Sequence, residues 1–394
     1  MNYGEISAAK ISGGNQLGKN GLVLLKILVP LVVISSLNLI SYFSRANLRV
    51  YTGSVTGNDR SFRYDSPELK VFRFEDISAA REFFVLQKAW RGWGKRKTGQ
   101  EIAVKRLSKA SSQGFEEFKN EVMLTANLQH VNLVKVMGFC VEREEKMLIY
   151  EYLPNGSLDS YLFDPVKCLQ LDWTKRAHII EGIIQGLLYL QEYSRLTIIH
   201  HDLKASNILL DKDLNPKISD FGMARMFQRD GREANTNRIV GTYGYVPPEY
   251  VKQGLYSRKF DVYSFGVLLL QVISSKRNDD VYGANDFNLL EYAYELWIGA
   301  HGMEFVDPSL DDSSSKYKLL SCMQISLLCV QEKQEDRPSM LEISSMFKNE
   351  VKPSMFPKRP AFSRKPDEDA TLTPCSQHYV YSNNDSIVSE LEPR

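Results

Sequence analysis

Residues 200–222 read HHDLKASNILLDKDLNPKISDFG, and the order of the chemistry-bearing groups in that stretch decides the fold. Asp202, Lys204 and Asn207 come first, and Asp220 follows at the head of an Asp-Phe-Gly triplet. This is the spacing that phosphoryl transfer uses. In such a pattern the first Asp would accept or orient the proton of an acceptor hydroxyl, the Asn would help to hold magnesium, and the second Asp would bind magnesium at the phosphates of a nucleotide.

Working outward, each neighbouring stretch adds a matching part. Upstream, Glu101 to Lys105 (EIAVK) is a short apolar run typical of a strand, and its Lys is placed to grip nucleotide phosphates. Glu121 lies sixteen residues on, in a segment where Phe115, Phe118 and Val122 recur at helical spacing, so a Lys105–Glu121 ion pair is expected. Downstream, residues 241–249 (GTYGYVPPE) have the form of the end of an activation segment. Residues 261–266 (DVYSFG) start a buried helix, and Arg337 is the expected partner of Glu249. Taken singly, His-His-Asp is a loop, Asp-Phe-Gly a turn and Ala-Val-Lys a surface strand. Their order and spacing together specify one fold.

Composition bounds the rest. The 394 residues are 43% hydrophobic, enough for two or three packed units, and 49 Lys plus Arg nearly cancel 48 Asp plus Glu. A neutral chain has no global field for a polyanion, so nucleic acid is not an expected partner. The basic, aromatic residues 88–97 (KAWRGWGKRK) fit a distorted strand pair more simply than a base-stacking surface. Five scattered cysteines (Cys140, Cys168, Cys322, Cys329 and Cys375) do not form a disulfide framework and suit a reducing compartment.

Along the chain, a polar tail (1–21) precedes an apolar segment (22–43, LVLLKILVPLVVISSLNLISYF) whose only charge is Lys26, which reads as a membrane anchor. A juxtamembrane linker (44–71) follows, then a folded domain (72–350), then a Pro- and Ser-rich tail (351–394) expected to be disordered. The folded part runs strand-rich and then helix-rich, with Ile180, Ile183, Ile184, Leu187 and Leu190 marking a buried helix ahead of His200.

With these motifs assembled, residues 72–350 resemble the kinase domain of plant receptor-like Ser/Thr kinases, especially the S-domain (S-locus lectin) type; cysteine-rich receptor-like kinases share much of the pattern. The stretches at 101–122 (EIAVKRLSKASSQGFEEFKNEV), 147–164 (MLIYEYLPNGSLDSYLFD), 202–225, 234–245 (ANTNRIVGTYGY) and 388–394 (VSELEPR) carry the likeness. The resemblance implies an α+β, bilobal protein-kinase fold: a small antiparallel-sheet N-lobe to about residue 153, and a mainly helical C-lobe. It implies ATP as donor, Mg as cofactor and Ser or Thr hydroxyls of protein substrates as acceptors.

On the same basis Asp202, Lys204 and Asn207 would be catalytic, with Lys204 offsetting charge on the transferring phosphoryl group. Lys105, Glu121, Glu151, Leu153 and Asp220 would bind the nucleotide, the backbone of Glu151 and Leu153 meeting adenine at the hinge beyond Tyr150. Asn207 and Asp220 would hold Mg. Thr242 would line the acceptor site, and Thr236, Thr242 and Tyr243 are phosphorylatable residues in or near the activation segment. A plasma-membrane protein with a cytosolic kinase domain is expected, attached through residues 22–43 and lacking the lectin ectodomain, with self-association of kinase domains a further expectation.

Two departures stand out. The Gly-rich phosphate loop G-x-G-x-x-G-x-V needs room for two β-strands between its tip and the strand Lys, yet Gly92 lies only thirteen residues before Lys105, and positions 97 and 99 are Lys97 and Gly99. Setting residues 94–100 against the end of the second strand and its turn leaves no phosphate loop, so a catalytically impaired pseudokinase, a membrane-attached scaffold, is the rival reading. The second departure is His201, where the family has Arg. The bidentate, permanent charge of Arg that meets an activation-loop phosphate is not reproduced by imidazole. A nucleotide-dependent oxidoreductase finds weak support in a lone Gly-x-Gly without strand–helix context.

Overall fold

A computed structural model of the chain describes residues 69–78, 84–86, 91–95, 101–107, 112–142, 145–227, 233–236, 238–310, 315–349, 355–363 and 380–381. The apolar segment 22–43, most of the linker 44–71 and Cys375 lie outside the described residues. Among the described residues no helix is long and apolar enough to cross a membrane.

The N-lobe is one six-stranded sheet. Its strands are β1 (Lys70–Val71), β2 (Phe84–Leu86), β3 (Arg91–Lys95), β4 (Glu101–Arg106), β5 (Val136–Glu142) and β6 (Glu145–Glu151), in spatial order β1-β5-β6-β4-β3-β2. Every pair is antiparallel except β1, which joins β5 in parallel, so the expected antiparallel sheet is in fact mixed at one edge. That edge strand is two residues long and carries no alternation from which its direction could be read.

The sheet buries Ile102, Val104, Cys140, Met147 and Ile149 against Phe72 and Ile77, the latter on helix α1 (Phe74–Ser78). Alternation along β4 explains the choice: Ile102 and Val104 face the core while Lys105 turns toward the cleft. Helix α2 (Ser112–Thr125) packs Phe118 and Val122, both fully buried, with Phe118 edge-on to Phe139 at 6.1 Å. Phe115, expected on the same stripe, is instead 36% exposed, with the Lys146 ammonium 5.2 Å from its ring centroid.

The C-lobe is helical around one large core. Helix α3 (Trp173–Leu188) starts at Asp172, whose carboxylate accepts from the Lys175 amide at 2.9 Å, and it buries Ile180, Ile183, Ile184 and Leu187. Beyond it lie two short ladders, β7 (Thr197–Ile199) with β10 (Arg225–Phe227) and β8 (Ile208–Leu210) with β9 (Pro216–Ile218). The first brings together the two ends of the segment quoted at the outset, and the second lies within it. Strands β11 (Glu233–Asn235), β12 (Val240–Gly241) and β13 (Leu255–Ser257) follow, with helix α4 (Pro248–Gln253) between the last two.

Helix α5 (Lys259–Ser274) is buried on all sides from Phe260 onward and mostly apolar, as suits a helix at the centre of a core. Around it stand α6 (Leu289–Ile298), α7 (Lys316–Cys329) and α8 (Met340–Phe347). The last opens on a reciprocal cap between Ser339 and Glu342. Cys140, Cys168, Cys322 and Cys329 are free thiols, and burial raises that of Cys322 to about 12, which keeps it protonated and inert. A short strand of the C-terminal tail, β14 (Val380–Tyr381), pairs with β12.

Candidate active site

The loop after β7 is fixed from below by α5. Asp261, completely buried at the start of that helix, accepts the His200 amide at 2.7 Å on Oδ2 and the His201 amide at 3.1 Å on Oδ1. Burial raises its pKa, and the two amides oppose that rise. His200 reaches the Ser219 carbonyl through Nε2 at 2.9 Å and lies edge-on to Phe221, tying the first acid's loop to the second's.

On this base the polar groups converge. Asp202 Oδ2 accepts from Lys204 Nζ and from Asn207 Nδ2, both at 2.9 Å, while Oδ1 accepts from the Thr242 hydroxyl at 2.5 Å. Lys204 also donates to Thr242 Oγ1 at 2.8 Å. Because the Asn207 amide nitrogen is committed to Asp202, its Oδ1, a hard oxygen donor, is turned away from that carboxylate. Asp202, Lys204 and Asn207 are all buried.

From the N-lobe, Lys105 Nζ lies 2.6 Å from Asp220 Oδ1 and 3.2 Å from Glu121 Oε2. The expected Lys105–Glu121 pair is therefore formed, and Asp220 joins it. The Tyr150 hydroxyl donates to the other oxygen of Glu121 at 2.6 Å. Sequence reasoning placed Tyr150 only at the hinge entrance. It also missed Asn120, whose Nδ2 donates to the carbonyls of Phe221 at 3.2 Å and of Gly222 and Ala224 at 2.8 Å, lacing α2 to the Asp-Phe-Gly segment. Adjacency to Glu121 was the one available signal for Asn120. Asp220 itself has φ 70°, a strained conformation held by these contacts.

At the hinge, the Glu151 amide is taken by the Lys135 carbonyl at 3.0 Å, so its carbonyl is the backbone group that could meet a base. Its carboxylate pairs with Lys217 at 2.9 Å. Leu153 gives its carbonyl to the Gly156 amide at 3.2 Å, leaving the N–H for the same task. Farther down, the Arg337 guanidinium, fully buried, grips both oxygens of Glu249 at 2.7 Å, as its spacing led one to expect.

Strands β2 and β3 are paired from Phe84↔Trp93 to Leu86↔Arg91, so only residues 87–90 join them, none of them glycine. The hairpin that would carry a phosphate loop is thus present, but its connection is four residues long. His201 is likewise unlike an Arg: its ring stacks on Phe260 at 4.2 Å and lies edge-on to Tyr250 and Tyr256. Neither ring nitrogen has a hydrogen-bond partner, and burial lowers its pKa to about 3.

A two-lobed molecule with a lysine–glutamate pair facing a loop of Asp, Lys and Asn defines a protein kinase. The sequence profile of the protein tyrosine and serine/threonine kinase family matches residues 82–347, and the chain belongs to that family. Among curated Arabidopsis thaliana proteins, the chain is 50% identical over 314 residues to the G-type lectin S-receptor-like serine/threonine-protein kinase CES101, covering 77% of this chain and 37% of that protein. It is 45% identical over 393 residues to cysteine-rich receptor-like protein kinase 10, covering 96% and 58%. It is 57% identical over 274 residues to receptor-like serine/threonine-protein kinase SD1-7, covering 68% and 32%. The chain thus spans from about a third to under three-fifths of the length of these relatives.

Proposed function

We propose that the chain is a Ser/Thr protein kinase, with its kinase domain over about residues 72–350, that transfers the γ-phosphoryl group of ATP to protein hydroxyls. The observation that carries this is the convergence on Asp202: a carboxylate held by Lys204 and Asn207, with a hydroxyl, that of Thr242, already 2.5 Å from Oδ1. An acceptor Ser or Thr in that position would give its proton toward Asp202 while Lys204 offsets negative charge on the moving group. Lys105, steadied by Glu121, would orient the nucleotide phosphates, and the backbone of Glu151 and Leu153 would take the adenine edge.

Asp220 and Asn207 suit magnesium, which takes one or two protein oxygens and fills its shell with phosphate oxygens and water. When bound, the ion neutralises charge on the phosphates and fixes their geometry. The names of the relatives support attachment to the plasma membrane, for which residues 22–43 are the candidate segment, with the kinase domain in the cytosol. Protein substrates accord with the same likeness, and contact between kinase domains is part of this reading.

His201, neutral in its aromatic cage, offers no charge to an activation-loop phosphate, so the loop's arrangement rests on packing rather than on phosphate capture. The test is ADP formation from Mg-ATP with a Ser/Thr peptide and with its Tyr counterpart, beside the Asp202→Asn variant. Turnover with the first peptide only, absent in the variant, is expected. No turnover by a folded chain would leave the scaffold reading.

A further inference from the structure

Strand β12 belongs to the activation segment and ends one residue before Thr242, the residue whose hydroxyl touches Asp202. Its strand partner is the chain's own tail, in parallel register Val240↔Val380 and Gly241↔Tyr381. Local sequence favours this. Tyr379, Val380 and Tyr381 are three consecutive strand-favouring residue types in a tail otherwise rich in Pro, Ser and Asp. Sixteen residues lie between Ser363 and Val380, a reach of up to about 60 Å when extended, ample to return across a lobe.

The activation segment is shaped to receive it. Gly241 has φ 150°, and a Cβ there would stand 2.8 Å from Val246 Cγ2, so the position takes no side chain. The Val240 amide donates to the Tyr250 hydroxyl at 3.2 Å, which restrains the strand's rotation. Edge strands recruit extended peptides through backbone pairing, with side chains adding selectivity.

We propose that the Val240–Gly241 edge is a strand-docking site whose occupant is the chain's own segment around Val380–Tyr381, which there competes with acceptor peptides. The docking stands on the pairing alone; the competition rests on the kinase reading above. In either hydrogen-bond phase of a parallel ladder with this register, the amide of Val380 or of Tyr381 donates to the activation segment. A double substitution, Val380→Pro with Tyr381→Pro, therefore removes that bond in both.

The experiment uses the full chain, wild type and double variant, with Glu390→Pro as a control for proline in the tail. Hydrogen exchange of the amides at 239–242 is read first: at least ten-fold faster exchange in the double variant, and none of that change in the control, is expected. The KM for a Ser/Thr peptide should then fall several-fold at unchanged kcat. Equal exchange in wild type and double variant would overturn the docking, and changed exchange with unchanged KM would overturn the competition. Changed exchange in a chain that forms no ADP would uphold the docking and reject the kinase reading instead.

Discussion

The Tyr150 hydroxyl donates to Glu121 Oε1 at 2.6 Å while Lys105 holds Glu121 Oε2 at 3.2 Å, so one buried carboxylate is gripped from the hinge side and from the cleft side at once. The hydroxyl fixes the rotamer that the ion pair needs. Tyr150→Phe removes one charge-assisted hydrogen bond, an effect of about 1.5–3 kcal/mol, and leaves the ring in place. Activity should fall roughly ten-fold or more and the thermal midpoint should drop by several degrees, checked by kcat/KM for ATP beside a melting curve.

Asn120, the residue before Glu121 on α2, ties that helix to the Asp-Phe-Gly segment. Three carbonyls, of Phe221, Gly222 and Ala224, share its side-chain nitrogen, and Asn120→Ala leaves the Asp-Phe-Gly segment without that lacing. Exchange of amides 219–226 is expected to quicken while the C-lobe core stays protected. Phosphoryl transfer should drop with it, because Asp220 loses its fixed place beside Lys105.

Burial of His201 makes stability depend on pH. Its folded pKa, about 3, lies below the ordinary value of 6.5, so between those limits the unfolded chain binds a proton that the folded chain refuses. Stability is therefore present above pH 6.5 and is lost as pH falls toward 3, at up to about 1.4 kcal/mol per pH unit. His201→Phe keeps the stack on Phe260 and removes the titration. Urea unfolding at pH 7 and pH 5 should show the wild type losing about 2 kcal/mol more than the variant.

The Arg337–Glu249 pair joins the segment before α8 to the start of α4. Arg337→Met strands a carboxylate that is only 11% exposed, and a cost of about 3–5 kcal/mol is expected from the melting or urea transition. Pairing it with Glu249→Met should return much of that loss, because no buried charge is then left alone.

The candidate site was legible as polar residue types at a fixed spacing, and the structure brings Asp202, Lys204 and Asn207 together and sets Asp220 beside Lys105. The Lys105–Glu121 and Arg337–Glu249 pairs were legible for the same reason. What escaped was contact between distant elements with no local signature. Asn120 meets Phe221 about a hundred residues away, and Asp261 was read as the start of a helix and not as the acceptor of two loop amides. Phe115 sat on the apolar stripe by spacing, yet in the first turn of α2 it is partly exposed and its ring meets Lys146 instead. The parallel edge strand β1 is too short for any periodicity to declare its direction.

The central claim is that these residues transfer phosphate although the β2–β3 connection is four residues without glycine. Autophosphorylation of the full chain with Mg-ATP, mapped by mass spectrometry beside Asp202→Asn, tests it most directly. Phosphate on Ser or Thr in the wild type and none in the variant is the predicted result. A folded wild type that carries no more phosphate than Asp202→Asn would contradict the account.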